Sequence, residues 1–195
     1  MFLASHAALR LVLAIYTGTA AHELAFKTGH GGRPELAWPG GAPPVRFNLT
    51  HTSGLFAVSL TRSEACGVDA ERLCNVLDDA LLDLVLTPSE RARIGDLARN
   101  AAIAEFYKLW TRKEAVLKAL GVGLKVDPRC VSVNEDGPVY VNDPAVGPHA
   151  RTRCWIRTFH PTPEHVVSVA IDTVTEYTRL QLVELDPTLV TAKLA

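Results

Sequence analysis

The chain opens on an apolar stretch, FLASHAALRLVLAIYTG, in which Leu9, Leu11, Val12, Leu13 and Ile15 supply the buried side of an amphipathic helix that ends near Gly18. Beyond it the helical period is lost. Residues 29–44 are dominated by glycine and proline and read as turns, with short apolar pieces at 23–26 and 45–49 as edge strands. Apolar runs at 55–60 and 65–70 predict two strands of one sheet, with Gly54 and the Thr/Ser cluster before it turning the chain.

From Asn75 to Leu120 the pattern becomes helical. The stretch TPSE gives a start signal: Thr87 caps, Pro88 suits the first helical position and Glu90 completes a capping box. A longer helix is predicted over roughly 99–120, stopped by GVGL. Alternation then returns in RCVSVNE, PVYVND, TRCWIRTF and EHVVSVAID, the pattern of an antiparallel meander. Helix, turn and strands thus occur twice, which predicts an α+β fold of two similar lobes. The expected organisation is an N-terminal lobe at 1–72, a connecting segment at 73–98, a C-terminal lobe at 99–175 and a tail at 176–195.

Composition narrows the classes. With 195 residues, 48% of them hydrophobic, the chain has enough apolar material for a core without staples. Twenty basic and 21 acidic residues leave a net charge of −1 with no dense Lys/Arg run, which speaks against a nucleic-acid or anionic-membrane surface. No apolar run approaches the length of a membrane span. The N-terminus has the outline of a secretory signal, but it lacks a basic start and Arg10 interrupts its apolar run, so the helix reading is preferred. Cys66, Cys74, Cys130 and Cys154 are scattered, as expected for reduced thiols of a cytoplasmic protein rather than a disulfide framework or zinc site.

Candidate chemistry begins in FYKLWTRKEAVLKALGVGL, residues 106–124. Phe106, Leu109, Trp110, Val116, Leu117 and Leu120 share one broad apolar stripe, and Lys113 falls inside it. Burying an ammonium there costs several kcal/mol unless it snorkels or meets an anion, so Lys113 requires a partner. Glu114 lies at the stripe's edge with Lys118 one turn on, which fits either an exposed i,i+4 pair contributing ~0.2–0.5 kcal/mol or a carboxylate placed for chemistry. In GVDAE, Asp69 and Glu71 project from one side of a strand, as a solvated strand end or as ligands of a divalent cation such as Mg²⁺. Thr50 and His51 precede a turn in FNLTHTSG, where the histidine is structural or functional. Arg10 and the Arg33 of GRP are surface charges or phosphate contacts. There is no GxxxxGK[ST] loop, HExxH helix or GxSxG elbow, and His22, His30, His149, His160 and His165 show no ligand spacing.

Taken in order, GRP, FNLTH, GVDAE and FYKLWTRKEAVLKALGVGL resemble a phosphopantetheinyl transferase of the surfactin-synthetase-activating type, over about residues 5 to 172. The resemblance implies two similar α+β lobes with coenzyme A in the cleft between them. It also implies Mg²⁺-dependent transfer of the phosphopantetheine arm to a serine of an apo acyl or peptidyl carrier protein, releasing adenosine 3′,5′-bisphosphate. By it, Asp69, Glu71 and Glu114 surround Mg²⁺, and Glu114 also serves as the base for the carrier serine. Lys118 would stabilise charge on the transferred phosphate or leaving group and Lys113 would contact the pyrophosphate. His51, with Thr50 beside it, would contact a phosphate of coenzyme A, and Arg10 and Arg33 would lie near the nucleotide, Arg33 in place of the more usual lysine. Leu84, Val85 and Leu86 lie in the carrier-facing segment, as a docking patch or as ordinary core. A monomer is expected.

The family has several dozen further residues before this point, and the short start reads as a misplaced initiation codon rather than a true loss. Two rivals use the same residues: a Mg²⁺-dependent phosphohydrolase with water in place of serine, and an inactive module that binds coenzyme A or a carrier.

Overall fold

A computed structural model describes residues 2–29, 32–39, 41, 43–133, 135–143, 146, 154–172 and 183, with side chains from residue 5 onward. The tail read at 176–195 therefore lies outside the described residues except for Val183. The fold is α+β. Helix α1 (Phe2–Thr17) is followed by strands β1 (Ala25–Thr28), β2 (Pro34–Ala37), β3 (Arg46–Thr52), β4 (Leu55–Thr61) and β5 (Ala65–Arg72). Helices α2 (Asp79–Val85), α3 (Pro88–Gly95) and α4 (Arg99–Leu120) come next, then strands β6 (Val131–Ser132), β7 (Gly137–Val141), β8 (Cys154–Thr162) and β9 (His165–Asp172).

Short-range signals formed what their chemistry requires. Thr87 and Glu90 make the reciprocal capping box of α3 with Pro88 in its first turn. Gly121, at φ +69°, closes α4 in the left-handed region that a side chain would disfavour. Strands β6 to β9 pair antiparallel in chain order, as the alternation predicts.

Two expectations fail, the first on long-range pairing. Strands 55–60 and 65–70 do not share a sheet: β4 pairs with β3, whereas β5 runs antiparallel to β9 and heads the five-stranded order β5-β9-β8-β7-β6. Apolar runs specify that a strand forms, but its partner is chosen by contacts about a hundred residues away. Within the expected turns of 29–44, residues 34–37 form β2 against β1, because Leu36 alone is buried and a four-residue strand is too short to display a period.

Two main cores result. In the first half Leu9 and Leu13 of α1 pack on Leu24, Leu36, Val45 and Phe47. In the second Phe106, Leu109, Val116 and Leu117 of α4 pack with Leu82, Val85, Val139 and Ile156. Strand β5 lies at their junction. It is hydrogen-bonded into the five-stranded sheet while Asn48, Thr50 and Thr52, alternate residues of β3, all reach it through side chains. Among the described residues no helix is long and apolar enough to cross a membrane.

Candidate active site

Helix α4 lies directly on β5 because Gly67 has no side chain: a Cβ there would stand 2.0 Å from the Ala115 carbonyl oxygen and 2.5 Å from the Ala119 nitrogen. That approach brings one face of the strand, Asp69 and Glu71, against the α4 stripe Trp110, Glu114 and Lys118, spaced four residues apart and so aligned along the helix. Lys118 Nζ donates to Asp69 Oδ1 at 2.6 Å and to the Val68 carbonyl at 3.3 Å. Trp110 Nε1 donates to Glu71 Oε1 at 3.2 Å, and Thr50 Oγ1 donates to Asp69 Oδ1 at 3.4 Å. Glu114 makes no ion pair among the described residues, so the i,i+4 pairing with Lys118 is not formed; Asp69 takes the lysine instead.

The electrostatics tie these groups together. Burial pushes the Glu114 carboxyl above its usual range, Lys118 opposes that rise, and the charges of Asp69 and Glu71 add to it. Glu71 is likewise raised by burial and by Asp69, against the pull of the Trp110 hydrogen bond and Lys118. Asp69 Oδ2 is buried without a hydrogen-bond partner, a costly state for a carboxylate oxygen. Three mutually repelling carboxylates and one orphaned oxygen are the surroundings that a divalent cation would relieve. Among the described residues no group of three acidic, His or Cys side chains is gathered tightly enough to hold an ion unaided. The donor set fits Mg²⁺, which characteristically takes one or two carboxylates and completes its shell with water and substrate phosphate oxygens.

Other expected site residues lie elsewhere. Lys113 does not face a ligand site: it is 0% exposed, and its Nζ donates to Glu90 Oε2 at 2.7 Å and to the Val85 carbonyl at 2.9 Å. The anion that Lys113 requires is the capping-box glutamate of α3 and not a pyrophosphate. Arg10 Nη1 donates to the carbonyls of Ala21 and Leu24 and its guanidinium stacks 4.9 Å from the Phe26 centroid, so it braces the turn after α1. Arg33 Nη1 donates to the carbonyls of Lys118 and Ala119 at the end of α4. Thr50 and His51 do not act together: alternation turns Thr50 inward onto Asp69 and leaves His51 exposed on the other side of β3. In the connecting segment Val85 and Leu86 are core, at 0% and 3% exposure, while Leu84 is 53% exposed.

Gly67 is not marked by the sequence pattern and Trp110 reads there only as part of the apolar stripe, although both sit inside the motifs that carry the site. A glycine two residues before paired carboxylates, and a tryptophan one turn before the glutamate, are the signals that could have found them.

Residues 65–170 match the family model described as the 4′-phosphopantetheinyl transferase superfamily, and the chain belongs to that superfamily. Its relatives include 4′-phosphopantetheinyl transferase pptA of Paxillus involutus, 32% identical over 129 residues, which are 57% of this chain and 49% of that protein. Also similar is 4′-phosphopantetheinyl transferase HetI of a Nostoc species, 29% identical over 124 residues, 63% of this chain and 52% of the relative. A third is 4′-phosphopantetheinyl transferase Sfp of Bacillus subtilis, 25% identical over 152 residues, 75% and 62% respectively. The chain thus spans between about half and three-fifths of the length of these curated relatives.

Proposed function

We propose that this protein transfers the 4′-phosphopantetheine arm of coenzyme A to a serine of an apo acyl or peptidyl carrier protein, with adenosine 3′,5′-bisphosphate as the second product. The observation that carries this reading is the buried, partnerless Asp69 Oδ2 in a site shared with Glu71, Glu114 and Lys118. Asp69, Glu71 and Glu114 would hold Mg²⁺, whose chemistry is to neutralise the pyrophosphate as charge develops.

Glu114 is the base. Its carboxylate lies on the same helix face as Lys118 and makes no ion pair among the described residues, which leaves it free to accept the serine proton. The serine oxygen forms the new bond to the pantetheine-bearing phosphorus, the bond to the bridging pyrophosphate oxygen breaks, and its electron pair leaves with the adenosine bisphosphate. Lys118, on the same helix face, offsets the negative charge that builds on these oxygens. Trp110 and Thr50 hold the carboxylates of Glu71 and Asp69 in place. His51, exposed on β3, is the remaining first-half candidate for a phosphate contact, and exposed Leu84 is the apolar contact offered to a carrier.

The test is to incubate the protein with coenzyme A, Mg²⁺ and an apo carrier and to weigh the carrier by mass spectrometry. A gain equal to one phosphopantetheine group, lost with chelator, is expected. No gain on any of several carriers overturns the reading, and breakdown of coenzyme A without a carrier would identify water as the acceptor.

A further inference from the structure

The last carbonyls of an α-helix have no partner within the helix and carry its negative dipole end. At the end of α4 the Gly121 amide covers the Lys118 carbonyl at 3.1 Å and the Val122 amide covers that of Leu117 at 3.2 Å. A second donor arrives from the other half of the chain. Arg33, immediately before β2, directs Nη1 to the Lys118 carbonyl at 2.8 Å and to the Ala119 carbonyl at 3.2 Å, 85 and 86 residues away in sequence. The contact is close-packed: a Cβ on Gly121 would lie 3.3 Å from Arg33 Cζ. Residue 118 is therefore gripped at both ends, its backbone oxygen by Arg33 and its ammonium by Asp69.

We infer that Arg33 is a positioning residue for Lys118. It fixes the end of α4 from the first half and so sets where the Lys118 ammonium lies. The inference rests on the transferase reading for its kinetic consequence only, because the grip on Lys118 exists whatever the reaction.

Arg33→Gln and Arg33→Lys, checked for fold by circular dichroism, are assayed for kcat and for KM of coenzyme A, alone and combined with Lys118→Met. Arg33→Gln should lower kcat about ten- to a hundredfold, the scale of a small misplacement of a charged group, with KM within about twofold. Arg33→Lys, which keeps a cation able to reach a carbonyl, should recover most of the loss. In the Lys118→Met background Arg33→Gln should cost little more, since there is no ammonium left to misplace. A second readout needs no turnover: acetylation of lysines by acetic anhydride, followed peptide by peptide, should modify Lys118 several-fold faster in Arg33→Gln than in the parent chain. A rise in KM with kcat unchanged, or full additivity with Lys118→Met, overturns the inference. If the parent chain transfers nothing, the transferase reading falls, and the labelling rate decides the role of Arg33: an unchanged rate overturns it.

Discussion

Lys113 and Glu114 are neighbours with opposite environments. Periodicity put Lys113 on the buried side of α4 and so demanded an anion, but the choice of anion was out of reach, because Glu90 belongs to another helix 23 residues earlier. Burial disfavours the ammonium and pulls its pKa below the usual lysine range, against the raising effect of Glu90. Removing one partner of such a pair strands the other charge, so Lys113→Met should destabilise the protein by about 3–5 kcal/mol in urea unfolding. Adding Glu90→Gln, which keeps an oxygen for the Thr87 amide, should return much of that loss; a loss that stays the same in the double variant would mean packing, not charge, is responsible. Glu114 behaves in the other sense. Its folded pKa lies above the unfolded value of 4.5, so the native state binds the proton more tightly and folding is progressively penalised as pH rises from about 4.5 through the raised value. Metal-free Glu114→Gln should therefore melt at a higher temperature than the parent at pH 7, with the difference vanishing below pH 4.5, while transfer falls by about 10²–10⁴-fold. A Gln variant that melts lower at pH 7 would show that the carboxylate is not held at a cost, and one that keeps full transfer would show that Glu114 is not the base.

Among the elements, α4 carries most of the site, and it was largely legible: its span, its glycine stop and its charged stripe are all local properties of the chain. The acidic pair on β5 was legible too, since two residues on a strand share a face whatever surrounds them. What brings the two elements together was not. Gly67 has no side chain to reveal a pattern, and its consequence lies in a helix some fifty residues on, where the Ala115 oxygen would meet an added Cβ at 2.0 Å. Backbone atoms cannot yield as a flexible side chain does, so Gly67→Ala must lift α4 from β5. A cost of roughly 1–3 kcal/mol is expected from overpacking. The larger effect should fall on transfer, because Lys118–Asp69 and Trp110–Glu71 span the gap that widens. Denaturant unfolding together with the carrier mass assay checks both, and a variant with parental stability and rate would show that the close approach is unnecessary.

At the scale of the molecule, the two main cores are joined by a strand that bonds to both sides. Sequence order assigns β5 to the first half; its backbone hydrogen bonds go to β9 in the second. The contacts that join the halves are single polar groups with no period to expose them. The Val68 amide donates to Asn48 Oδ1 at 2.9 Å. His165 Nε2, facing the Ser53 carbonyl at 2.8 Å, must carry the proton it donates, while Nδ1 accepts from the Thr162 hydroxyl. Because β5 cannot leave one half without stripping partners from the other, the chain should unfold in one transition, with calorimetric and van't Hoff enthalpies equal. Asn48→Ala leaves the buried Val68 amide unpaired, at a cost of about 1–3 kcal/mol. That cost should lower the whole transition without splitting it, since the residue joins the halves rather than supporting one of them. Scanning calorimetry of parent and variant distinguishes the cases: two resolved peaks in either would mean that each core holds its own strands and that β5 is only borrowed.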